Sequence, residues 1–288
     1  MPISKHNQTY ESLKRLIKEG YGQGEGVNYK PFIDVFRVST KGRATRVKGW
    51  KSQRVHHFLS DSETRYFYLL EFDDEVIDIR EHYPLIQDMD KVMPNLDEQL
   101  KKRLFNQRTG EPLILTTTFL VTKKDHTDSV SHFARSIKDY RQLENAQVIE
   151  RFEIQRRYWS EKGIDYGIVT NKEIPKVFAK NIEYIHSSYS LHEYGIDIEQ
   201  QQLYSDVLLH LLIQAGKTQV NEILTHFDRE VNVEKGTGLL LFKHLIATKR
   251  LMVDMTNAIS LTMPSNQVLI VGQGGDEIGH LDKHVNSI

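Results

Sequence analysis

Apolar residues recur along the chain in two alternating patterns, helical spacing and short β-prone runs. Leu13, Leu16 and Ile17 share one side of a short helix predicted from Tyr10 to Gly20, ending as helices commonly do at a glycine. A second helix is entered through Ser60 as N-cap, with Glu63 placed three residues later as the reciprocal partner of a capping box. Tyr66, Phe67, Leu69, Leu70 and Phe72 supply its stripe, and a β-prone run closed by Pro84 follows. Gln87 to Arg103 reads as an exposed loop plus a short helix. Pro112 to Thr122 (PLILTTTFLVT) predicts a strand, Lys123 to Asp128 a turn, and Ser129 to Ile137 a second strand ending in Lys138. A helix from Arg141 to Gly163 presents Leu143, Val148, Phe152, Gln155, Tyr158 and Trp159 inward. A strand (Asp165 to Thr170) and a helix (Ile174 to Ile185) complete an α/β order.

The remainder has a different pattern. Helices are predicted from Leu203 to Ala215, Val220 to Phe227 and Lys235 to Thr248, then two β runs around Thr256-Asn257 within Leu251 to Met263. Three helices and a hairpin is the order of a winged helix-turn-helix. The expected domains are therefore 1–185, 186–265 and a tail at 266–288.

Charge and composition narrow the partners only locally. The 38 basic and 39 acidic residues leave a formal net charge of -1, so global charge neither indicates nor excludes nucleic acid. Ser39 to Arg54 is different: it holds Lys41, Arg43, Arg46, Lys48, Lys51 and Arg54, with Trp50 interleaved and no acidic residue. Two readings stand, a solvated basic loop and a surface that contacts a DNA backbone. Lys243, Lys249 and Arg250, on or just after the third C-terminal helix, are further candidates to meet phosphates, although Leu239 to Phe242 make that helix too apolar for a simple recognition face. No cysteine is present, which removes disulfides, thiolate metal sites and Cys nucleophiles. No leader-like apolar segment or membrane-length run occurs, and a cytoplasmic protein is expected. The glycine-rich stretch Gly20 to Gly26 lacks the strand-before, helix-after context of a phosphate cradle and reads as a connection. Adjacent His56 and His57 would point opposite ways in an extended segment, which disfavours a shared metal ion.

The run Arg54-Val55-His56-His57, then Ser60-Asp61-x-Glu63, then Asp78-Ile79-Arg80-Glu81-x-Tyr83-Pro84-Leu85 resembles the first-helix motif of TnsA, the endonuclease subunit of heteromeric Tn7-type transposases. The resemblance extends to Lys18-Glu19-Gly20-x-Gly22-Gln23-Gly24 with a strand over Phe32 to Val38, to Phe152-Glu153-x-x-Arg156-Arg157-Tyr158-Trp159, and to Thr170 to Ile174. It implies a restriction-endonuclease-like, PD-(D/E)xK domain with a central mixed sheet flanked by helices, followed by a winged helix. It also implies hydrolysis at the 5′ side of transposon ends with Mg²⁺ as cofactor, and transposon-end DNA, a TnsB-like transposase and a TnsC-like AAA+ regulator as partners. The family's catalytic glutamate falls on Glu63 and its lysine on Lys138. Its metal-binding aspartate position is Thr118 here, and the glutamine of its Gln-x-Lys run is Ser136. A threonine hydroxyl does not match the strength of a charged carboxylate as a Mg²⁺ ligand. The implied alternative is a degenerate homologue that keeps the fold as a scaffold for DNA and its partner proteins.

Overall fold

The computed structural model describes residues 10–36, 42–86, 95–271 and 277–278. The chain divides between Pro175 and Lys176 into two compact units.

The first unit contains helix α1 (Tyr10–Lys18), a hairpin of β1 (Thr45–Lys48) and β2 (Val55–Phe58), and helix α2 (Asp61–Phe72). Its central sheet has four strands, β3 (Val76–Pro84), β4 (Thr116–Lys124), β5 (Val130–Lys138) and β6 (Asp165–Thr170), in that spatial order. The first three form an antiparallel meander; β6 runs parallel to β5, which it can do only because the crossover helix α4 (Ala146–Glu161) returns the chain to the same end. Helix α3 (Glu98–Lys101) is a single turn capped by Asp97. The sheet is therefore mixed and flanked by helices. Leu120 and Ala134 face Ile154, Tyr158 and Trp159 on the α4 side. Phe119 packs against Phe58 and Tyr66, toward β2 and α2.

One departure from regular alternation positions everything that follows. Glu81 pairs with Phe119 and Tyr83 with Thr117, and in regular strands Glu81 and Tyr83, two residues apart, would share a face, as would Phe119 and Thr117. Instead Glu81 bonds to His56 while Tyr83 packs on Trp159, ring centroids 5.6 Å apart. Phe119 serves the α2 side while Thr117 bonds to Gln155 of α4. Between them His82 takes a left-handed φ of 51°, uncommon for a non-glycine residue. β3 and β4 exchange faces at the level of His82 and Thr118, whereas Ala134 and Ser136 of β5 both keep to the α4 side.

Several expectations shift. Phe32 to Phe36 is bends and turn rather than strand, and Arg37 and Val38 lie outside the described residues, as does Lys41. Helix α4 begins at Ala146 rather than Arg141, because Asn145 caps it and a 3-10 turn (Tyr140–Glu144) precedes it.

The second unit holds α5 (Lys176–His186), α6 (Ile198–Gln214), α7 (Val220–Glu230), α8 (Thr237–Ala247) and a three-stranded sheet of β7 (Leu251–Met252), β8 (Leu269–Val271) and β9 (Glu277–Ile278). The division falls ten residues before the expected boundary at 185, since α5 packs with α8 and its Asn181 amide donates to the carbonyls of Met255 and Asn257. The predicted hairpin within Leu251 to Met263 is not formed. Asp254 caps its own turn through Thr256 and Asn257, and β7 finds its partner in β8, from the stretch expected to be a tail. Among the described residues no helix is long and apolar enough to cross a membrane.

Candidate functional site

Glu63 lies in the first turn of α2, where a carboxylate complements the helix dipole. Ser60 Oγ accepts the Glu63 N–H at 3.3 Å, as predicted for the N-cap. The reciprocal bond is displaced by one residue: Glu63 Oε2 accepts the Leu59 N–H at 2.7 Å rather than that of Ser60. His82 Nε2 approaches the same oxygen at 3.9 Å and lies 3.0 Å from the His57 carbonyl. The left-handed backbone at His82 thus aims its ring at the helix start.

Thr118 and Ser136 are both engaged in the fold. Thr118 Oγ1 accepts the Ile137 N–H at 3.0 Å, so the threonine side chain takes a bond that the β4–β5 ladder, last paired at Phe119 and Arg135, no longer makes through the backbone. Ser136 Oγ donates to Gln155 Oε1 at 2.8 Å, and Thr117 Oγ1 donates to the same oxygen at 2.9 Å. Trp159 Nε1 completes the chain by donating to Thr117 Oγ1 at 2.8 Å. All four side chains are buried. One amide oxygen of α4 thereby holds two strands, β4 and β5, at the level where β4 exchanges faces. Lys138 ends β5 beside Thr170, half-buried, with its carbonyl accepting the Asn171 N–H.

These donors can be tested against a divalent metal. Mg²⁺ favours hard, charged oxygens in octahedral array. Of the four positions that the resemblance marks, Glu63 alone carries a carboxylate, and that carboxylate caps its own helix. Thr118 Oγ1 and Ser136 Oγ already bond within the protein. Among the described residues no group of three or more His, Asp or Glu is arranged to hold a metal ion. The residues present do not fit the metal that the fold implies.

The basic segment separates into two populations. In the hairpin, Arg46 pairs with His57 and Lys48 with Val55, which puts all four on its outer face, Arg46 and Lys48 exposed. Arg43 is exposed and pairs with Asp61 at 3.0 Å, and Lys51 Nζ donates to the Asp73 carbonyl at 2.7 Å, where α2 ends. Arg54 is different and corrects the expectation of a DNA contact. It is buried; Nη1 donates to Glu81 Oε1 at 2.8 Å and Nη2 to the Ile79 carbonyl at 2.7 Å. Glu81, fully enclosed, also binds His56 Nδ1 at 2.8 Å, and His56 Nε2 lies 2.7 Å from Ser52 Oγ. Burial alone would raise the Glu81 pKa; the His56 charge, hydrogen bonds from Arg54 and His56, and the Arg54 charge outweigh it and hold the carboxyl well below the usual carboxylate range. The Ser-His-Glu chain resembles a hydrolase relay but is sealed: a Cβ on Gly49 would stand 2.7 Å from His56 Nε2 and 2.8 Å from Ser52 Oγ.

In the second unit, Lys243 Nζ sits 3.7 Å from the centre of the Tyr184 ring, and burial lowers its pKa. Arg250 pairs with Asp206 at 3.0 Å, and Lys249 takes a left-handed φ of 57° just after α8. Sequence reasoning gave no role to Gln155 beyond an inward position, nor to His82. The polar Gln155 amid an apolar stripe was the available signal for the first; nothing in the pattern marked the second.

Residues 73–171 match the family described as "TnsA-like endonuclease N terminal", and residues 173–255 that described as "TnsA endonuclease C terminal". The junction of the two matches lies beside the structural division at 175. A relative from Escherichia coli, "Transposon Tn7 transposition protein TnsA", is 33% identical over 247 residues, covering 85% of this chain and 87% of the relative.

Proposed function

Because the chain belongs to the TnsA family of transposition endonucleases, we propose that it is the TnsA-like subunit of a heteromeric DNA transposase whose nuclease-like centre serves as a structural joint. In this reading it binds transposon-end DNA and TnsB-like and TnsC-like partners, while another subunit or host activity deals with the 5′ strand. The supporting observation is the Gln155 joint: the two hydroxyls at the ligand positions are hydrogen-bonded inside the protein, one of them to a helix side chain. Oxygens bonded in this way are held by the protein itself rather than by an ion. The exposed outer face of the β1–β2 hairpin is the proposed DNA contact in the first unit, and a winged helix in the second unit the proposed partner-docking element.

A second reading, hydrolysis at the 5′ side of transposon ends with Mg²⁺, is favoured by the retention of Glu63 and Lys138. Strand cleavage of transposon-end DNA with Mg²⁺ or Mn²⁺ and the cognate partner subunits separates the two. The joint predicts no 5′ cleavage by the wild type, and none lost in Glu63→Ala. Cleavage by the wild type that disappears in Glu63→Ala and Lys138→Ala would overturn it.

A further inference from the structure

The outer face of the β1–β2 hairpin carries a group that a purely electrostatic DNA surface does not need. Phe36 is 61% exposed, among the more open large apolar side chains of the described residues. It stands over the cross-strand pair Arg46 and His57: the Arg46 guanidinium carbon is 5.2 Å from the ring centre, and the His57 ring meets it edge-on at 5.7 Å. Asp34 fixes the approach by accepting the Phe36 N–H at 2.9 Å, so the ring is held by its own turn as well as by its neighbours. Beyond it along the face come Lys48 and Val55, the latter 48% exposed. From Thr45 to Phe58 the hairpin contains no carboxylate.

We infer that Phe36 is a nucleobase-stacking residue, which meets an unpaired or unstacked base while Arg46 and Lys48 hold the flanking phosphates. Single-stranded and distorted nucleic acid presents flat apolar rings beside negative charges, and an aromatic side chain set against a cation matches that combination. An intact duplex offers phosphates but hides its ring faces, so it would use the cations and leave the phenyl ring idle. An acidic protein partner would match the charges too, yet it gives no reason for an exposed, supported aromatic ring beside them. The inference rests on the DNA-binding reading above and narrows it, from duplex contact in general to a step where bases are open, such as the junction at a transposon end.

The test is fluorescence anisotropy with the full chain and two labelled probes: a fully paired duplex, and the same duplex with a run of unpaired bases at its centre. Base–aromatic stacking predicts that Phe36→Ala weakens binding to the unpaired probe by about tenfold, leaves the paired one nearly unchanged, and does not alter the salt slope. Phe36→Trp should restore binding to the unpaired probe. Arg46→Ala should weaken both probes and reduce the slope by about one. Equal affinity of wild type and Phe36→Ala for the unpaired probe, with binding still salt-dependent, overturns the stacking role while leaving the DNA surface standing. Failure of the wild type to bind either probe overturns the DNA reading itself. A melting temperature unchanged in Phe36→Ala, as its exposure requires, shows that the comparison is between folded proteins.

Discussion

Replacing Arg54 with methionine distinguishes a buried clamp from a DNA contact more sharply than any other single change. The side chain is of similar length, but the guanidinium is lost from a site where Glu81 is 0% exposed. Two charge-assisted bonds to Glu81 disappear, and the Ile79 carbonyl loses its Arg54 partner. Removing one member of a buried ion pair costs about 3–5 kcal/mol, since the other charge stays enclosed without its partner. His56 remains on Glu81, which places the expected loss within rather than above that range. For a unit of this size each kcal/mol moves the midpoint by about 2–4 °C, so thermal unfolding followed by circular dichroism should fall by about 6–20 °C. Combining Arg54→Met with Glu81→Leu should recover part of the loss, because a paired apolar replacement leaves no orphan charge. DNA affinity at temperatures where the variant is folded should keep the wild-type salt slope. The reasoning is refuted if Arg54→Met unfolds within about 0.5 kcal/mol of wild type, the range of ordinary surface changes, and the salt slope drops instead.

Three further outcomes follow from the same geometry. Gln155→Leu leaves the Thr117 and Ser136 hydroxyls without their acceptor and should destabilise the first unit by about 2–4 kcal/mol in urea titration, with Gln155→Glu milder. Glu81 has a depressed pKa in the folded state, so its contribution is complete above the ordinary value of 4.5 and is lost as pH falls below it; the acid limb of a stability-versus-pH curve should be shallower in Glu81→Gln. Gly22→Ala should lower the melting temperature, because the new Cβ would stand 2.2 Å from Pro84 Cγ and the backbone there has a φ of +75°.

The strands and helices of the first unit were legible because each is bounded by its own chemistry. The Asp125 turn separates β4 from β5, its carboxylate accepting from Thr127 and Ser129, and Ser60 opens α2. Glu63, Thr118, Ser136 and Lys138 were marked by the family resemblance alone, which carried no information on the hydrogen bonds that Thr118 and Ser136 make. What could not be read was the exchange of faces at His82. Period-two reasoning assumes a regular strand, and a single left-handed residue reverses every assignment beyond it. Gln155 was visible only as a polar residue in an apolar stripe, since its partners lie 38 and 19 residues away in sequence. Arg54 misled for a related reason: its neighbours in sequence are basic, whereas its partner Glu81 arrives from another strand. The strand β8 was missed because Leu269–Val271 pairs with β7 across a loop, which Asn181 holds through the carbonyls of Met255 and Asn257.

The manner in which β3 ends the sheet has a consequence for solubility. An edge strand exposes carbonyl and amide groups that can template another strand. Here two carbonyls of β3 are taken by side chains: Tyr29 donates its hydroxyl to Glu81 and Arg54 its guanidinium to Ile79. The same arginine that compensates a buried charge therefore also caps the sheet against growth. Its loss would uncover part of an apolar strand, Val76 to Ile79, at the moment the domain is least stable. Variants at Arg54 should consequently fail in a second way, by strand-to-strand aggregation that rises with protein concentration, where variants at Gln155, buried on the α4 side and away from that edge, should unfold without it.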